Sequence, residues 1–539
     1  VVLYSLLCSL RLFVGSPSLK VDYLAWLTDR TRAGREESLN AKPYFDKAAQ
    51  LLTRTELLSE FHRIANIRPN DMNEPQRKIL ADLAQHNTEA FGFLRQGVMK
   101  PYCWVDYEQA AREPLPPGVA GSSPTGITQS LLGDPASTFN RDLSMYGPGY
   151  RQLAQAFHAS ILWKAYQGDV AGALNDSLVL MDFGMHLEGR GTQFEQLVGI
   201  AIEAMGSHIV FTLLDSYEVA GQDLARVQAR LDDLFAHHAA LLDMTGDKAI
   251  WLAWVQGTFT DDGAGNGRVL MKGLPLAAGD WQDGVTSLLL FDYPDRREMT
   301  SLIDAFAREC QLIQETEPSR PEYKEEKARW MTLAQKSFLL RMQAPPVDRL
   351  GDLIWRQKTS RRALRTTVAV LRCGRDKGGY PATLDALVAE GGMKELPIDP
   401  YSGKSFVYQR TGDGFLLYSW GVNLVDDGGR QGTGQNGKPR AWTDNGDEVF
   451  WPVRAETPAP KTPVQPAMDE EKKAKYRAAA PLNHAVRIER MGNYLKLDYE
   501  LIGSDGKKYS LWDIGGRPKL AFTVYQGDTR IDSGQFEFG

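Results

Sequence analysis

Two short stretches concentrate the side chains best suited to chemistry. Asn423-Leu424-Val425-Asp426-Asp427-Gly428-Gly429 and Asp444-Asn445-Gly446-Asp447-Glu448 together carry many hard oxygen donors. Calcium takes about six to eight such oxygens from a flexible loop, and glycine readily exposes the backbone carbonyls that supplement them. The same residues also read as turn formers and solvated charge, and spacing alone leaves both readings open. Residues 432–440 separate the two stretches like an insertion.

Other patterns fall short of a reaction centre. His158, His186, His208, His237 and His238 share one region of the chain, yet none forms His-Glu-x-x-His or another metal-ligand spacing on one helix face. Each reads as a packed or solvent-facing helix histidine. Asp261-Asp262-Gly263-Ala264-Gly265-Asn266-Gly267-Arg268 is glycine-rich but lacks the ending of a phosphate loop and the acidic spacing of an EF-hand, so a loop between helices is expected. No Gly-x-Ser-x-Gly elbow, zinc motif or matched carboxylate pair stands out. Cys8, Cys103, Cys310 and Cys373 are scattered without Cys-x-x-Cys, which fits free or buried thiols better than a disulfide and leaves the latter open.

The elements that must position these residues are helical for most of the length. At 539 residues the chain exceeds a single core, and a formal net charge of -6 argues against a dedicated nucleic-acid binder. From about 21 to 345 apolar residues recur at helical spacing. Leu153, Phe157 and Ile161 form one stripe, Gly168 offers a left-handed stop, and Asp169 caps the next helix. Thr192 with Glu195 makes a capping box for a third helix, whose Gly199, Ala201, Ala204 and Gly206 would let a neighbour approach closely. A fourth follows Gly221, with Leu224, Val227, Leu231, Leu234 and Phe235 expected inside. Trp251 and Trp254 share a helix face as core residues. The turn 166–174 resembles that of a tetratricopeptide-type array, but no steady period of about 34 residues flanks it, so an irregular all-α solenoid or bundle is expected.

After Pro345-Pro346 a helix is expected over 353–373, with Leu364, Val368 and Leu371 as its apolar stripe. Arg356, Lys358, Arg361, Arg362, Arg365 and Arg372 read as a solvated basic face. Then come Gly378-Gly379-Tyr380-Pro381, a short helix at Leu384…Leu387-Val388, Ile398-Asp399-Pro400, and Phe406-Val407-Tyr408 and Phe415-Leu416-Leu417-Tyr418 flanking a Thr411-Gly412-Asp413-Gly414 turn. This order, over about 355–450, resembles the globular head of the type II secretion major pseudopilin. The resemblance implies a small α+β domain, placed at 350–452, in which a long helix packs on a small antiparallel sheet. It also implies a calcium loop holding Asn423, Asp426, Asp427, Asp444 and Asp447, with Asn423 where the family usually has Asp. Pseudopilins assemble through a long apolar N-terminal helix. Here some 350 residues precede the corresponding helix and its upstream part is charged, so the head is expected as a reused module.

Residues 453–480 read as a linker, Pro-rich at 457–463 and with a short exposed helix at 469–480. Over 481–539, period-two stretches separated by Ser504-Asp505-Gly506 and Gln526-Gly527-Asp528 suggest an incomplete immunoglobulin-like all-β sandwich. The apolar 1–14 stretch, with Arg11 near its end, reads as the remnant of a membrane anchor or signal segment (1–20), with a short buried helix as the other reading. The fold class expected is therefore multidomain: an all-α solenoid or bundle, a small α+β unit, then part of a β-sandwich. The pieces resemble bacterial membrane-anchored helical-repeat proteins of no assigned activity. The expected function is a non-enzymatic, extracytoplasmic cell-envelope scaffold that meets other proteins through its helices. It would be tied to secretion or surface assembly. The rival is a hydrolase with its site in a helical groove. A deep pocket lined by convergent acidic or histidine side chains would favour the rival, and a smooth concave surface the scaffold.

Overall fold

The structure, a computed structural model, describes residues 17–112, 134–189, 191–238, 242–267, 294–336, 348–412, 414–434 and 437–453, and the strands 483–491, 494–502, 508–509, 519–526 and 529–537. Residues 1–16 of the expected anchor segment, residues 454–480 of the linker, and the turns at 504–506 and 527–528 lie outside these residues. The chain divides into two units, Val1–Glu456 and Thr457–Gly539.

The first unit is mostly helical and closes with small antiparallel sheets. Its first helices are α1 (Tyr23–Arg32), α2 (Lys42–Gln50), α3 (Leu58–Ile64), α4 (Glu74–His86), α5 (Thr88–Val98), α6 (Tyr107–Arg112) and α7 (Asp134–Tyr166). α7 stops where the sequence says it should. Gly168 takes φ 92°, Asp169 N–H closes back on the Lys164 carbonyl at 3.2 Å, and the Asp169 carboxylate accepts from Gly172 N–H at 2.9 Å to open α8 (Val170–Leu187). The Thr192–Glu195 capping box is present at the start of α9 (Gln193–Ser216).

α8 and α9 pair so closely that their glycines are obligatory. A Cβ on Gly184 would stand 2.5 Å from both Glu203 N and Gly199 O. Only half of the expected small-residue face is used in this way. Gly199, Glu203 and Gly206 share the stripe facing α8, whereas Ala201 and Ala204 fall off it and are exposed. α10 (Gly221–His237), α11 (Thr245–Thr258), α12 (Arg296–Glu315) and α13 (Pro321–Gln335) complete this part. Trp251 and Trp254 are buried as expected, and Phe235 is only partly buried.

The long helix α14 (Asp348–Lys377) outruns its expected span at both ends because both ends find partners. It packs against α9, α10 and α12 and also against the sheet. After the short α15 (Asp385–Ala389), β1 (Ile398–Asp399) pairs antiparallel with β2 (Lys404–Ser405). β3 (Val407–Thr411), β4 (Gly414–Ser419) and β5 (Glu448–Trp451) form a second antiparallel sheet in the order 3-4-5. A helix thus lies across an antiparallel sheet. One hydrophobic core runs from Phe45 on α2 through Leu364 and Val368 on α14 to Phe415, Leu417 and Trp451. Phe211 of α9 reaches Phe450 with ring centroids 6.2 Å apart. Asp399 at the end of β1 is buried and accepts from Ser419 Oγ at 2.7 Å, tying β1 to β4.

The basic face expected on α14 is not a solvated one. Arg361 is 7 % exposed, and Arg365 pairs with Asp232 at 2.6 Å. A helix packed on several sides has no wholly solvated face, so Arg361 and Arg365 find carboxylates on neighbouring helices, and Lys358 and Arg362 find the carbonyls of Gln314 and Ile398.

The second unit contains two antiparallel sheets: β6 (Asn483–Met491), β7 (Tyr494–Ile502) and β8 (Lys508–Tyr509) in one, β9 (Lys519–Gln526) and β10 (Thr529–Glu537) in the other.

Candidate functional site

The acidic loop between β4 and β5 brings four of its five expected residues together. Asp447 is buried at its centre, its Oδ1 accepting from Asp427 N–H at 3.2 Å and its Oδ2 from Gly429 N–H at 2.7 Å. Gly428 and Gly429, at φ 70° and 79°, turn the chain so that these amides point inward. Asp426 Oδ1 accepts from the Tyr418 hydroxyl at 2.9 Å and Gly428 N–H at 3.0 Å. Asp427 accepts from Asn423 Nδ2 at 2.8 Å and from Arg430 at 2.9 Å. Asp444 is exposed and joins none of these bonds. Burial pushes the Asp447 carboxyl upward, its two amides oppose this, and the charges of Asp426 and Asp427 add to the rise.

The donor set suits a hard cation once two groups yield. Arg430 occupies one oxygen of Asp427, but its side chain is 70 % exposed, so it leaves cheaply. Turning the Asn423 amide over would present its oxygen to Asp427 and give up the bond its Oδ1 now accepts from Val425 N–H at 3.2 Å. Asp447, Asp427, Asp426 and Asn423 would then offer oxygens to a hard cation.

The helical part contains a partly open cavity beside the start of α9. Trp104, Val105, Tyr107, Tyr150, Leu187 and Val198 wall it, and Glu195, His186, Lys42 and Cys103 bring polar groups to it. Glu195 Oε2 accepts from the Tyr107 hydroxyl at 2.7 Å, Thr192 N–H at 2.6 Å and Thr192 Oγ1 at 3.0 Å, whereas its buried Oε1 has no partner. Burial raises the Glu195 carboxyl, against the lowering effect of Tyr107 and Thr192. Lys42 is matched to Asp46 at 2.6 Å. Burial drives the Cys103 thiol far above its ordinary range, so it stays protonated and serves as wall rather than nucleophile.

Eight residues further along α9 lies a closed cluster. Arg361 of α14 reaches Glu203 through Nε at 2.6 Å and Nη2 at 2.7 Å, and Glu188 through Nη2 at 2.9 Å. Gln357 Nε2 donates to Glu188 Oε1 at 2.8 Å and also to Glu203. Two carboxylates thus share one guanidinium. Burial and the Glu203 charge hold the Glu188 carboxyl well above its usual range despite Arg361.

Asp182, His186 and His238 lie close enough to suggest a metal, with ligand atoms within 4.8 Å of one another. Their hydrogen bonds argue otherwise. His186 Nδ1 faces the Asp182 carbonyl at 2.8 Å and Nε2 the Lys100 carbonyl at 2.7 Å, so both nitrogens act as donors and neither has a lone pair to offer. Burial lowers the His186 pKa, but Asp182 and the two carbonyls outweigh it and raise the value overall. Asp182 also pairs with Arg230 at 2.6 Å. Asp182, His186 and Arg230 form an ion-pair network, with His238 beside it.

Sequence reasoning saw Glu195 only as a cap, and missed Glu188, Glu203 and Arg361. A usable signal existed: α9 is the one described helix long and apolar enough to cross a membrane, and a glutamate inside such a run requires a partner. With 67 % of its apolar window buried, α9 is packed as a core helix of this unit. Comparison of the chain with protein-family models, curated proteins and solved structures gives no match in any of the three.

Proposed function

We propose that this chain is a non-enzymatic scaffold of the bacterial cell envelope. In this reading the helices of the first unit form an irregular solenoid that meets protein partners. Its end is a pseudopilin-like module steadied by calcium, and the second unit is part of an immunoglobulin-like sandwich. The segment 1–20 would tie the chain to a membrane from the extracytoplasmic side, in secretion or surface assembly. One observation carries the proposal: α14 packs on β4 and β5, and the loop between those strands gathers Asn423, Asp426, Asp427 and Asp447. Asp444 is left out of the ligand set as the loop now stands.

The test is thermal unfolding of the whole chain with and without millimolar calcium, because α14 shares its core with the helical part. Calcium should raise the melting temperature of the wild type. Asp447→Asn should abolish the rise, and Asp444→Asn should leave it intact. At a concentration of about 100 Kd, binding contributes about 2.7 kcal/mol. No rise at millimolar calcium removes the metal from the proposal.

The cavity beside α9 favours the rival reading, since Glu195 and His186 converge on it. Its groups do not assemble a hydrolytic centre, because the thiol is protonated and both His186 nitrogens are committed to carbonyls.

A further inference from the structure

His186 sits in the last turn of α8, buried, with acceptors at both ring nitrogens. Nδ1 faces the Asp182 carbonyl at 2.8 Å and Asp182 Oδ1 at 3.1 Å, and Nε2 faces the Lys100 carbonyl at 2.7 Å. A carbonyl oxygen does not donate, so both contacts are hydrogen bonds only while the ring is an imidazolium. A neutral ring would turn a lone pair on one of the two carbonyls. The two nitrogens are not equivalent. Nδ1 has a carboxylate as well as a carbonyl to hold its proton, whereas Nε2 has one neutral oxygen, so Nε2 is the atom that gives its proton up. The contact then lost is the one that crosses 86 positions of the chain.

That contact reaches the connection between α5 and α6. The same connection is tied to the chain between α1 and α2 by neutral groups. Ala41 N–H donates to the Tyr102 carbonyl at 2.7 Å, and the Asn40 amide accepts from Trp104 N–H at 3.1 Å and donates to the Trp104 carbonyl at 3.2 Å. Lys100 Nζ adds a bond to the Ser38 carbonyl at 3.0 Å. Deprotonation of His186 would leave these ties in place and free only the side toward α8.

The charges around the ring come from several elements. Asp182 of its own helix also pairs with Arg230 of α10 at 2.6 Å. The His238 ring lies 5.7 Å away between centroids, and Arg361 of α14 donates to the His238 carbonyl. Lys42, Cys103 and Glu195 share the cavity with His186, and Lys42 is matched to Asp46. Burial and the charge of His186 lower His238 to about 4, so it stays neutral where His186 titrates. Burial lowers the His186 pKa, but Asp182 and the two carbonyls raise it overall. A histidine whose folded pKa is raised gives stability that is present below about pH 6.5 and is lost as pH climbs through the folded value.

We propose that His186 is a pH-sensitive latch, fastening the connection between α5 and α6 to α8 while protonated and letting that side go when Nε2 loses its proton. Cys103, Trp104 and Val105 of this connection wall the cavity beside α9, so the latch governs how firmly that wall is held. It is independent of the calcium loop, and either claim can fail alone.

Hydrogen exchange of the full chain, read by mass spectrometry and corrected for the intrinsic effect of pH, tests it. Protection of the 99–106 peptide should fall about threefold or more between about pH 6 and 9, while protection of α4 should hold. His186→Gln places an amide that can donate to the Lys100 carbonyl at every pH, so the fall should vanish. Protection that does not fall in the wild type, that falls equally in His186→Gln, or that falls alike in α4 overturns the proposal. If the variant fails to fold, nitrogen NMR of histidine-labelled wild type decides. One ring should carry protons on both nitrogens at about pH 7 and lose one at the midpoint of the exchange change. The absence of such a ring, or a different midpoint, refutes the latch.

Discussion

Glu195 and Glu203 stand on the same helix, two turns apart, both buried, and they meet opposite fates. Glu203 spends both oxygens on Arg361 and Gln357, within a cluster that fastens α8 and α9 to α14. Glu195 spends one oxygen on its own helix start and on Tyr107 and leaves the other buried without a hydrogen-bond partner among the described residues. The difference is the count of donors around each carboxylate. A buried acid enclosed by donors and a cation fastens elements together, whereas one with an oxygen left bare is pushed by burial toward its neutral form.

The largest effect should come from breaking the closed side. Arg361→Met leaves Glu203 and Glu188 buried without their cation, which should cost about 3–5 kcal/mol in urea unfolding. Adding Glu203→Met and Glu188→Leu to it should recover most of that loss, since a packed apolar patch replaces the whole network. Failure of the triple variant to recover would mean that the cluster does more than fasten the helices.

A smaller effect is expected midway between the two glutamates. Gly199→Ala gains about 1 kcal/mol of helix propensity but drives a methyl into Gly184 O at 2.5 Å and Glu188 Cγ at 3.1 Å. Overpacking against a backbone that has no room to yield costs about 1–3 kcal/mol. Net destabilisation should appear in thermal unfolding, and an unchanged or raised melting temperature would mean that the helices can separate.

The gentlest probe is pH. Burial raises Asp247 to about 7, against the Gln193 amide that lowers it. A carboxyl whose folded pKa is raised holds its proton more tightly in the folded state. Its contribution is therefore present below the unfolded value and is lost as pH rises through the folded one. Burial lowers His158 to about 3 and His238 to about 4, which works in the opposite direction over the acid range. The clean readout is thus a difference. Asp247→Asn should gain stability relative to the wild type as pH rises from about 4 to 7, and a flat difference would refute the shift.

What could be read from the sequence was whatever is local. Gly168 and Asp169 end one helix and begin the next, and Thr192 with Glu195 caps α9, because each bond spans a few residues. The hairpin of β3 and β4 was legible for the same reason, through its turn and its alternation. The buried sites lie between distant segments. Arg361 meets Glu188 across 173 positions and Tyr107 meets Glu195 across 88, and no periodicity reports such a pairing. The arginine therefore looked like one more base on a solvated face. In the acidic loop composition pointed to Asn423, Asp426, Asp427 and Asp447, which lie near one another, but whether Asp444 joined them depended on a backbone path that composition does not determine.

The contrast between the two glutamates is tested most directly by making the same change at each, Glu195→Gln and Glu203→Gln, and measuring the unfolding free energy of both in urea. Glu203→Gln should lose stability, because it takes a charge from the Arg361 cluster, while Glu195→Gln should stay close to the wild type, because the amide can still complete the cap. If the two variants lose the same amount, or if the pattern is reversed, the division into a fastening acid and a capping acid is wrong.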